Sequence, residues 1–370
     1  MNDRINESRA AGIAEIVREG GADAVLLTSE VSLIYAAGVT AMEGACVITA
    51  DGTAYFITDG RYIEVAEQRI APQGFTVICR RNAEALSAFL TQIFEEHAVR
   101  RLLYEDAYLT VQEFAGLRDN LGTVKEFLPA SRQLAALRAC KSQREIGCII
   151  RAQRIAEQAL SRLLPELYTG ITEREAAARL NYYMALGGSE KPSFDTIMLF
   201  GENTSKPHGT PSDRALRPGD FITMDFGAVY EGYHSDMTRT VAYGSATGKM
   251  REVYETVLRA QSAAATVAQA GLRCCDMHNA AMNVIERAGY GQYFTHALGH
   301  TVGLEIHEYP IAAPRCEVLL RDGMVMTDEP GIYIAGEFGV RIEDMLVISG
   351  GTPQNLTEAP KAFTVLPERR

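Results

Sequence analysis

One stretch limits the fold more than any other. It runs from Asp225-Phe226-Gly227 to Asp236-Met237-Thr238-Arg239-Thr240. Phe221 to Val229 and Tyr233 to Val241 alternate apolar with small or polar residues and are rich in strand formers. Glu231-Gly232 lies between them as turn material, so the stretch reads as a β-hairpin. A two-residue turn at Tyr230-Glu231 sets Asp225 directly opposite Asp236. A turn at Glu231-Gly232 makes them diagonal neighbours on the same face. Opposed residues have Cβ atoms about 5 Å apart, where like charges repel. Two carboxylates aimed at one spot call for a cation, and oxygen donors suit hard or borderline divalent metals.

The same device recurs. Thr327-Asp328-Glu329-Pro330-Gly331-Ile332-Tyr333 returns through Gly339-Val340-Arg341-Ile342-Glu343-Asp344, with Gly336 and Gly339 read as the turn. Asp225 to Glu329 is 104 residues and Asp236 to Glu343 is 107. Glu329 and Glu343 are 14 apart, and an even separation needs an odd loop or a bulge to bring both to one face. Helix starts keep the same beat: near Glu145 and Thr172 in the first half, near Thr247 and Cys274 in the second. Thr172-Glu173-Arg174-Glu175 has the form of a capping box. Each half is therefore two helices followed by a sheet ending in a carboxylate hairpin. A duplicated α+β domain with a site between its halves follows.

About 130 residues precede this domain and interleave strands with helices. Strands fit Ala24–Leu27, Ala45–Thr49, Ala54–Thr58, Thr76–Ile78, Arg101–Tyr104 and Val124–Phe127; helices fit 6–19, Arg61–Gln68, Ala83–His97 and Val111–Asn120. The expectation is an α/β domain over 1–130, a mixed sheet with helices on its faces. The α+β domain then takes 131–370 and opens on a helix from Ser131 to Leu164. No glycine cluster has the strand-then-helix setting of a nucleotide fingerprint.

Charge and cysteine usage exclude some partners. The 370 residues carry a net charge of −11, which argues against nucleic acid or an anionic membrane surface. No apolar run approaches a membrane span, and Met1-Asn2-Asp3-Arg4 opens no secretory leader, so a cytoplasmic protein is expected. The seven cysteines form no CxxC pair and no zinc spacing and read as reduced thiols.

Five of seven histidines, His208, His234, His296, His300 and His307, fall beside the four paired acids. A lone histidine on an apolar face is usually structural; this clustering is not what a passive core predicts. Two Asp, two Glu and one His are the stock for two divalent ions bridged by carboxylates with positions left for water. His234 adjoins the turn and reads as structural, and Tyr233 and Tyr333 as packing residues.

These motifs resemble the creatinase, aminopeptidase P and prolidase family, the pita-bread metallopeptidases, over nearly the whole chain. The resemblance rests on Thr58-Asp59-Gly60-Arg61-Tyr62, Lys141-Ser142-Gln143-Arg144-Glu145-Ile146, Pro207-His208-Gly209, Asp225-Phe226-Gly227, Gly232 to Thr240, Gly299-His300 with Gly303-Leu304, His307-Glu308, Glu329 to Tyr333 and Arg341 to Asp344. It implies a pita-bread domain with an internal pseudo-two-fold repeat, and metal ligands Asp225, Asp236, His300, Glu329 and Glu343. It implies that His208 and His307 hold substrate and shuttle protons, that His296 and Arg341 line the substrate pocket, and that Glu329 is the general base.

The implied activity is a metal-dependent exopeptidase that cleaves the N-terminal Xaa-Pro bond of peptides or dipeptides through a hydroxide bridging two divalent ions. Mn2+ is expected first, with Co2+ or Zn2+ compatible, and a homodimer is expected. Alternatives are a strict Xaa-Pro dipeptidase, a non-proline aminopeptidase, a metal-free amidinohydrolase and a non-catalytic peptide-binding scaffold; the last two count on a lost ligand set. Two residues depart from the family pattern. Asp328 precedes Glu329 where an apolar residue is usual, and strand alternation should turn it away from the metals. Lys206 precedes Pro207 at the expected rim.

Overall fold

The computed structural model describes residues 3–81 and 84–369. Met1, Asn2 and Ala83, on which parts of the sequence reading fall, lie outside the described residues. The chain divides into two compact units, 1–138 and 139–370.

In the first unit the order is α1 (Asp3–Glu19), β1 (Ala24–Leu27), α2 (Glu30–Ala37), β2 (Ala45–Thr49), β3 (Ala54–Asp59), α3 (Ile63–Arg69), β4 (Phe75–Arg80), α4 (Leu86–Glu96), β5 (Arg101–Tyr104), α5 (Val111–Asn120), β6 (Glu126–Pro129) and α6 (Ser131–Ala139). The six strands form one mixed sheet ordered β4-β3-β2-β1-β5-β6. β1, β2 and β3 pair antiparallel, and β4, β5 and β6 join parallel. Burial explains the strands: every residue of β1 and β2 is buried, as a sheet covered on both faces requires. Helix α2 carries no amphipathic signal because seven of its eight residues are buried. It starts at Ser29, whose hydroxyl accepts from the Ser32 amide.

The helix expected from Ser131 to Leu164 is broken. α6 stops at Ala139, Cys140 bridges to Met324, and α7 (Gln143–Leu163) restarts with a capping box between Ser142 and Glu145. The first unit thus includes α6 up to Arg138, whereas the sequence reading assigns 131 onward to the second.

The second unit continues with α8 (Glu173–Leu186), β7 (Ile197–Phe200), β8 (Phe221–Phe226), β9 (Val229–Tyr230), β10 (Tyr233–His234), β11 (Met237–Tyr243), α9 (Gly248–Thr266), α10 (Cys274–Arg287), β12 (Gly299–Thr301), β13 (Glu308–Ala312), β14 (Val325–Asp328), β15 (Gly331–Ile334), β16 (Phe338–Arg341) and β17 (Asp344–Val347). Thr172 caps α8 through the Glu175 amide, but the Glu175 carboxylate turns to Arg179 at 2.8 Å, so only half the expected box forms. The duplication is visible in the packing. α7 and α8 close over β7, β8 and β11 around Leu160, Leu180, Met198 and Met224. α9 and α10 close over the second sheet around Val257, Met277, Met326 and Leu346. Burying such residues contributes roughly 1.5–3 kcal/mol each.

Two hairpins carry the acids. In the first, Tyr230 pairs with Tyr233 and Asp225 with Thr238. The turn is Glu231-Gly232, with φ of 49° and 78°. Both residues adopt the left-handed conformation of a type I′ turn, whose twist matches the strands. Asp225 and Asp236 are therefore diagonal; the direct opposition given by a Tyr230-Glu231 turn does not occur. In the second hairpin Ile334 pairs with Phe338 across a three-residue loop holding Gly336 at φ 77°. Gly339 is strand, not turn: a Cβ there would lie 2.2 Å from the Thr204 carbonyl oxygen. Asp328 pairs with Asp344 and Gly331 with Arg341. That register sets Glu329 across from Glu343, the odd loop supplying the shared face.

Candidate metal centre

Asp225 is the last residue but one of β8, and Asp236 sits between β10 and β11, where strand pairing pinches in. A Cβ on Gly227 would meet the Ser235 carbonyl oxygen at 1.8 Å. His300 is the middle residue of β12, and Glu329 and Glu343 flank the gap between the β14–β17 and β15–β16 ladders. The ligand atoms of Asp236, His300 and Glu343 all lie within 4.8 Å of one another. The Nε2 of His300 is 3.6 Å from Asp236 Oδ2 and 3.4 Å from Glu329 Oε1. Asp225 joins through Arg341, whose Nη2 donates to its Oδ2 at 2.5 Å.

Hydrogen bonds aim the cluster. Thr238 Oγ1 donates to Glu343 Oε2 at 2.7 Å and Thr327 Oγ1 donates to Glu329 Oε1 at 3.2 Å. The Nδ1 of His300 faces the Thr301 carbonyl at 3.2 Å. That contact assigns the proton to Nδ1 and leaves the Nε2 lone pair facing the acids. Burial and the neighbouring Asp225 and Glu329 push the Asp236 carboxyl well above its ordinary range; burial, Asp236 and Glu329 do the same to Glu343. Glu329 is pushed up to about 8, chiefly by burial. Burial, with His307 beside it, drives the His300 imidazole down to about 3, so it is neutral.

Two buried oxygens, Asp225 Oδ1 and Glu343 Oε1, have no hydrogen-bond partner. Buried acids crowded against each other, with orphaned oxygens and one neutral imidazole lone pair among them, fit divalent cations. The donor set is mostly oxygen, which suits Mn2+ or Co2+ as well as Zn2+.

The acids line a cavity of about 480 Å3, together with His208, His296, His307 and Arg341. The His307 ring stands 4.4 Å from that of His300 at 80°, and burial, then His208, lowers its pKa. His208 is exposed on the loop after Lys206. Lys206 itself bonds Asn203 and does not line the cavity. His296 accepts or donates at Nε2 to the Tyr333 hydroxyl (3.0 Å) and is held near 4 by burial. His234 is bound to Ser193 at 2.8 Å and does not line the cavity. Asp328 faces away from the cluster.

Tyr333, which the sequence reads as a packing residue, and Thr238 both join this network. Tyr333 takes a bond from Arg341 Nη1 at 2.7 Å, and Thr238 takes one from Arg341 Nε at 3.0 Å. A signal for each was present. Gly331, two residues before Tyr333 on the same face, leaves room for the phenol: a Cβ there would come within 2.3 Å of its oxygen. Thr238 is the cross-strand partner of Asp225.

Comparison with known proteins gives two domain matches. The model of metallopeptidase family M24 matches residues 147–350, and that of the Creatinase/Prolidase N-terminal domain matches residues 9–140. The chain is similar to the Xaa-Pro dipeptidase of Pyrococcus horikoshii, 34% identical over 364 residues and covering 98% of each chain. Among solved structures it is similar to an Xaa-Pro dipeptidase from Bacillus anthracis (TM-score 0.92, 35% identity, 98% of this chain and 100% of that one). It is also similar to an X-Pro aminopeptidase from Thermotoga maritima (TM-score 0.89, 33% identity, 95% and 99%).

Proposed function

The chain belongs to metallopeptidase family M24, and from that premise we propose that it is a metal-dependent exopeptidase removing the N-terminal residue that precedes a proline in second position. The observation that carries this reading is the convergence of Asp236, His300 and Glu343 within 4.8 Å, beside Asp225 and Glu329, on the wall of a cavity that also presents His208 and His307. Asp225, Asp236, His300, Glu329 and Glu343 would hold two divalent ions. When bound, these supply a Lewis acid for the scissile carbonyl and a water made nucleophilic at neutral pH.

The chain's own groups do the rest. Glu329, whose Oε1 lies 3.4 Å from His300 Nε2 and accepts from the Thr327 hydroxyl, would take the proton of the attacking water once ion binding has ionised it, and return it to the proline nitrogen. His307, neutral and exposed on the cavity wall, and His208 donate hydrogen bonds to the oxygen on which charge develops. Arg341 locks Asp225 through Nη2 and Tyr333 through Nη1, and Tyr333 in turn fixes the His296 ring, so one wall of the cavity is rigid.

We extend the proposal to Mn2+ ahead of Co2+ and Zn2+, to a homodimer and to the cytoplasm. Seven free cysteines support a reducing compartment, and the relatives' peptide substrates support a peptide partner. No helix among the described residues is long and apolar enough to cross a membrane. The catalytic role falls to residues 139–370, with 1–138 as the Creatinase/Prolidase-type N-terminal domain. The test is hydrolysis of Xaa-Pro peptides with added Mn2+ or Co2+ by wild type and Asp236→Ala. Turnover confined to wild type is expected; equal turnover in both contradicts the mechanism.

A further inference from the structure

The cavity wall that carries His208 is a loop, not a strand. It lies between β7 and β8, and Pro207, His208, Gly209, Thr210 and Pro211 line the cavity in succession. His208 itself is exposed, so its position depends on how this loop is anchored. Both limbs of the loop end on one side chain. Glu173, the first residue of α8, is 0% exposed. Its Oε1 accepts from the Phe200 amide at 2.8 Å and from Asn203 Nδ2 at 2.9 Å, ahead of the wall. Its Oε2 accepts from the Ser212 amide at 2.9 Å and the Ser212 hydroxyl at 2.5 Å, just beyond it. Asn203 extends the hold: its Oδ1 takes the Lys206 ammonium at 2.8 Å, two residues before His208. A carboxylate offers about four acceptor sites, and hydrogen bonds to it are short and strong. Here they are divided evenly between the two limbs.

The duplicated half shows that starting the helix does not require this device. α10 begins as α8 does. In α8 the Glu173 amide donates to the Arg214 carbonyl and the Arg174 amide to the Ser212 carbonyl. In α10 the Cys274 amide donates to the Val318 carbonyl and the Cys275 amide to the Cys316 carbonyl. Cys274 therefore holds the place of Glu173, and Cys316 that of Ser212. Cys274 is just as buried, and its thiol meets that of Cys316. Residues 313–324, the loop on that side, do not line the cavity. A small thiol suffices where the loop is scaffold; the carboxylate stands where the loop carries His208.

We propose that Glu173 is a positioning residue for the peptidase reaction: it closes the His208 loop at both ends and so sets the imidazole against the oxygen on which charge develops. This rests on the role given to His208 above and adds the group that enforces it. Glu173→Gln replaces one oxygen by a donor, which must face a donor of one limb or the other, so that limb is released. The test measures kcat and KM of the Mn2+-loaded full chain on Ala-Pro-Ala for wild type, Glu173→Gln, His208→Ala and the double variant. Glu173→Gln should lower kcat by about tenfold or more with KM little changed, because the lost contact is made in the transition state. In the His208→Ala background the same substitution should cost less than about twofold, because its target has gone.

Penalties that multiply in the double variant, or a wild-type kcat in Glu173→Gln, overturn the inference. Mn2+ binding by Glu173→Gln, followed by calorimetry, should match wild type, and its loss assigns Glu173 to the support of the metal centre instead. Should Glu173→Gln not fold, Ser212→Ala takes its place. It removes one of the four donors, and kcat should fall by about threefold in wild type and stay level in His208→Ala. An inactive wild type overturns the peptidase reading itself.

Discussion

On the β14–β17 ladder Asp328 stands opposite Asp344, and one residue further along each strand Glu329 stands opposite Glu343. Asp328, Asp344 and Glu343 are buried and Glu329 is partly buried, yet the two faces treat these acids differently. On the face away from the cavity, Asp344 receives Arg239 Nη2 at 2.8 Å, Asn355 Nδ2 at 2.8 Å and the Lys361 ammonium. Burial alone would raise its carboxyl, but the two cations outweigh burial and hold it below the ordinary value. On the cavity face Glu343 has a threonine hydroxyl on one oxygen and nothing on the other, and its carboxyl stays far up. An acid supplied with its own cations is part of the scaffold; an acid denied them is built for a cation from outside. Asp328 follows neither pattern. Both its oxygens are buried without partners, and burial and Asp344 push its carboxyl well above the ordinary range, with no cation bonded to it.

The largest effect that sharpens this contrast is on catalysis. Glu343→Gln keeps the shape but removes a proposed metal ligand, and kcat/KM on an Xaa-Pro peptide should fall by about a thousandfold or more. The metal-free variant should melt no lower than metal-free wild type at pH 8, because a repelling charge has gone. A lower midpoint would assign Glu343 to the scaffold.

Asp344→Asn should do the reverse. It leaves Arg239 and Lys361 facing a neutral amide, and stability should fall by roughly 3 kcal/mol or more in chemical denaturation, with a far smaller loss of kcat/KM than Glu343→Gln. Unchanged stability would break the comparison.

A smaller effect concerns pH. In the metal-free protein Glu329 holds its proton up to about 8, against an ordinary value of 4.5, and Asp236 and Glu343 move the same way. Between those limits the folded chain binds more protons than the unfolded one, so stability falls as pH rises. His300, held near 3, and His296, near 4, work in the opposite sense, but only below their ordinary value of 6.5. From pH 6.5 to 8 the acids alone act. The melting midpoint of chelator-treated protein should drop over that window, and Mn2+ should flatten the slope. A flat profile without metal would contradict the assignment.

Much of this was readable from residue order. The acid hairpins stand out because alternating strands and a Glu-Gly turn leave few registers, and the 104-residue spacing reveals the duplication. The register itself turned on a backbone detail. Positive φ at both Glu231 and Gly232 selects the turn that makes Asp225 and Asp236 diagonal, and composition cannot rank that above a turn one residue earlier. Gly339 reads as a turn residue because glycine is turn material, yet its purpose is close approach to Thr204. Helix α2 is silent because a helix buried on all sides shows no period. Tyr333 reads as packing, and Thr238 has no reading of its own, because their partner is the guanidinium of Arg341, and which hydroxyls a buried arginine reaches depends on register across two hairpins.

The central claim is that the cavity-side acids are held together by bound divalent ions. Calorimetric titration of the metal-free chain with Mn2+ near pH 7, in buffers of different ionisation enthalpy, tests it most directly. Two ions per chain should bind with net release of protons from the raised carboxyls, and Asp236→Ala should lose at least one of the two. Binding of fewer than one ion per chain by wild type, or identical titrations of wild type and variant, would contradict the account.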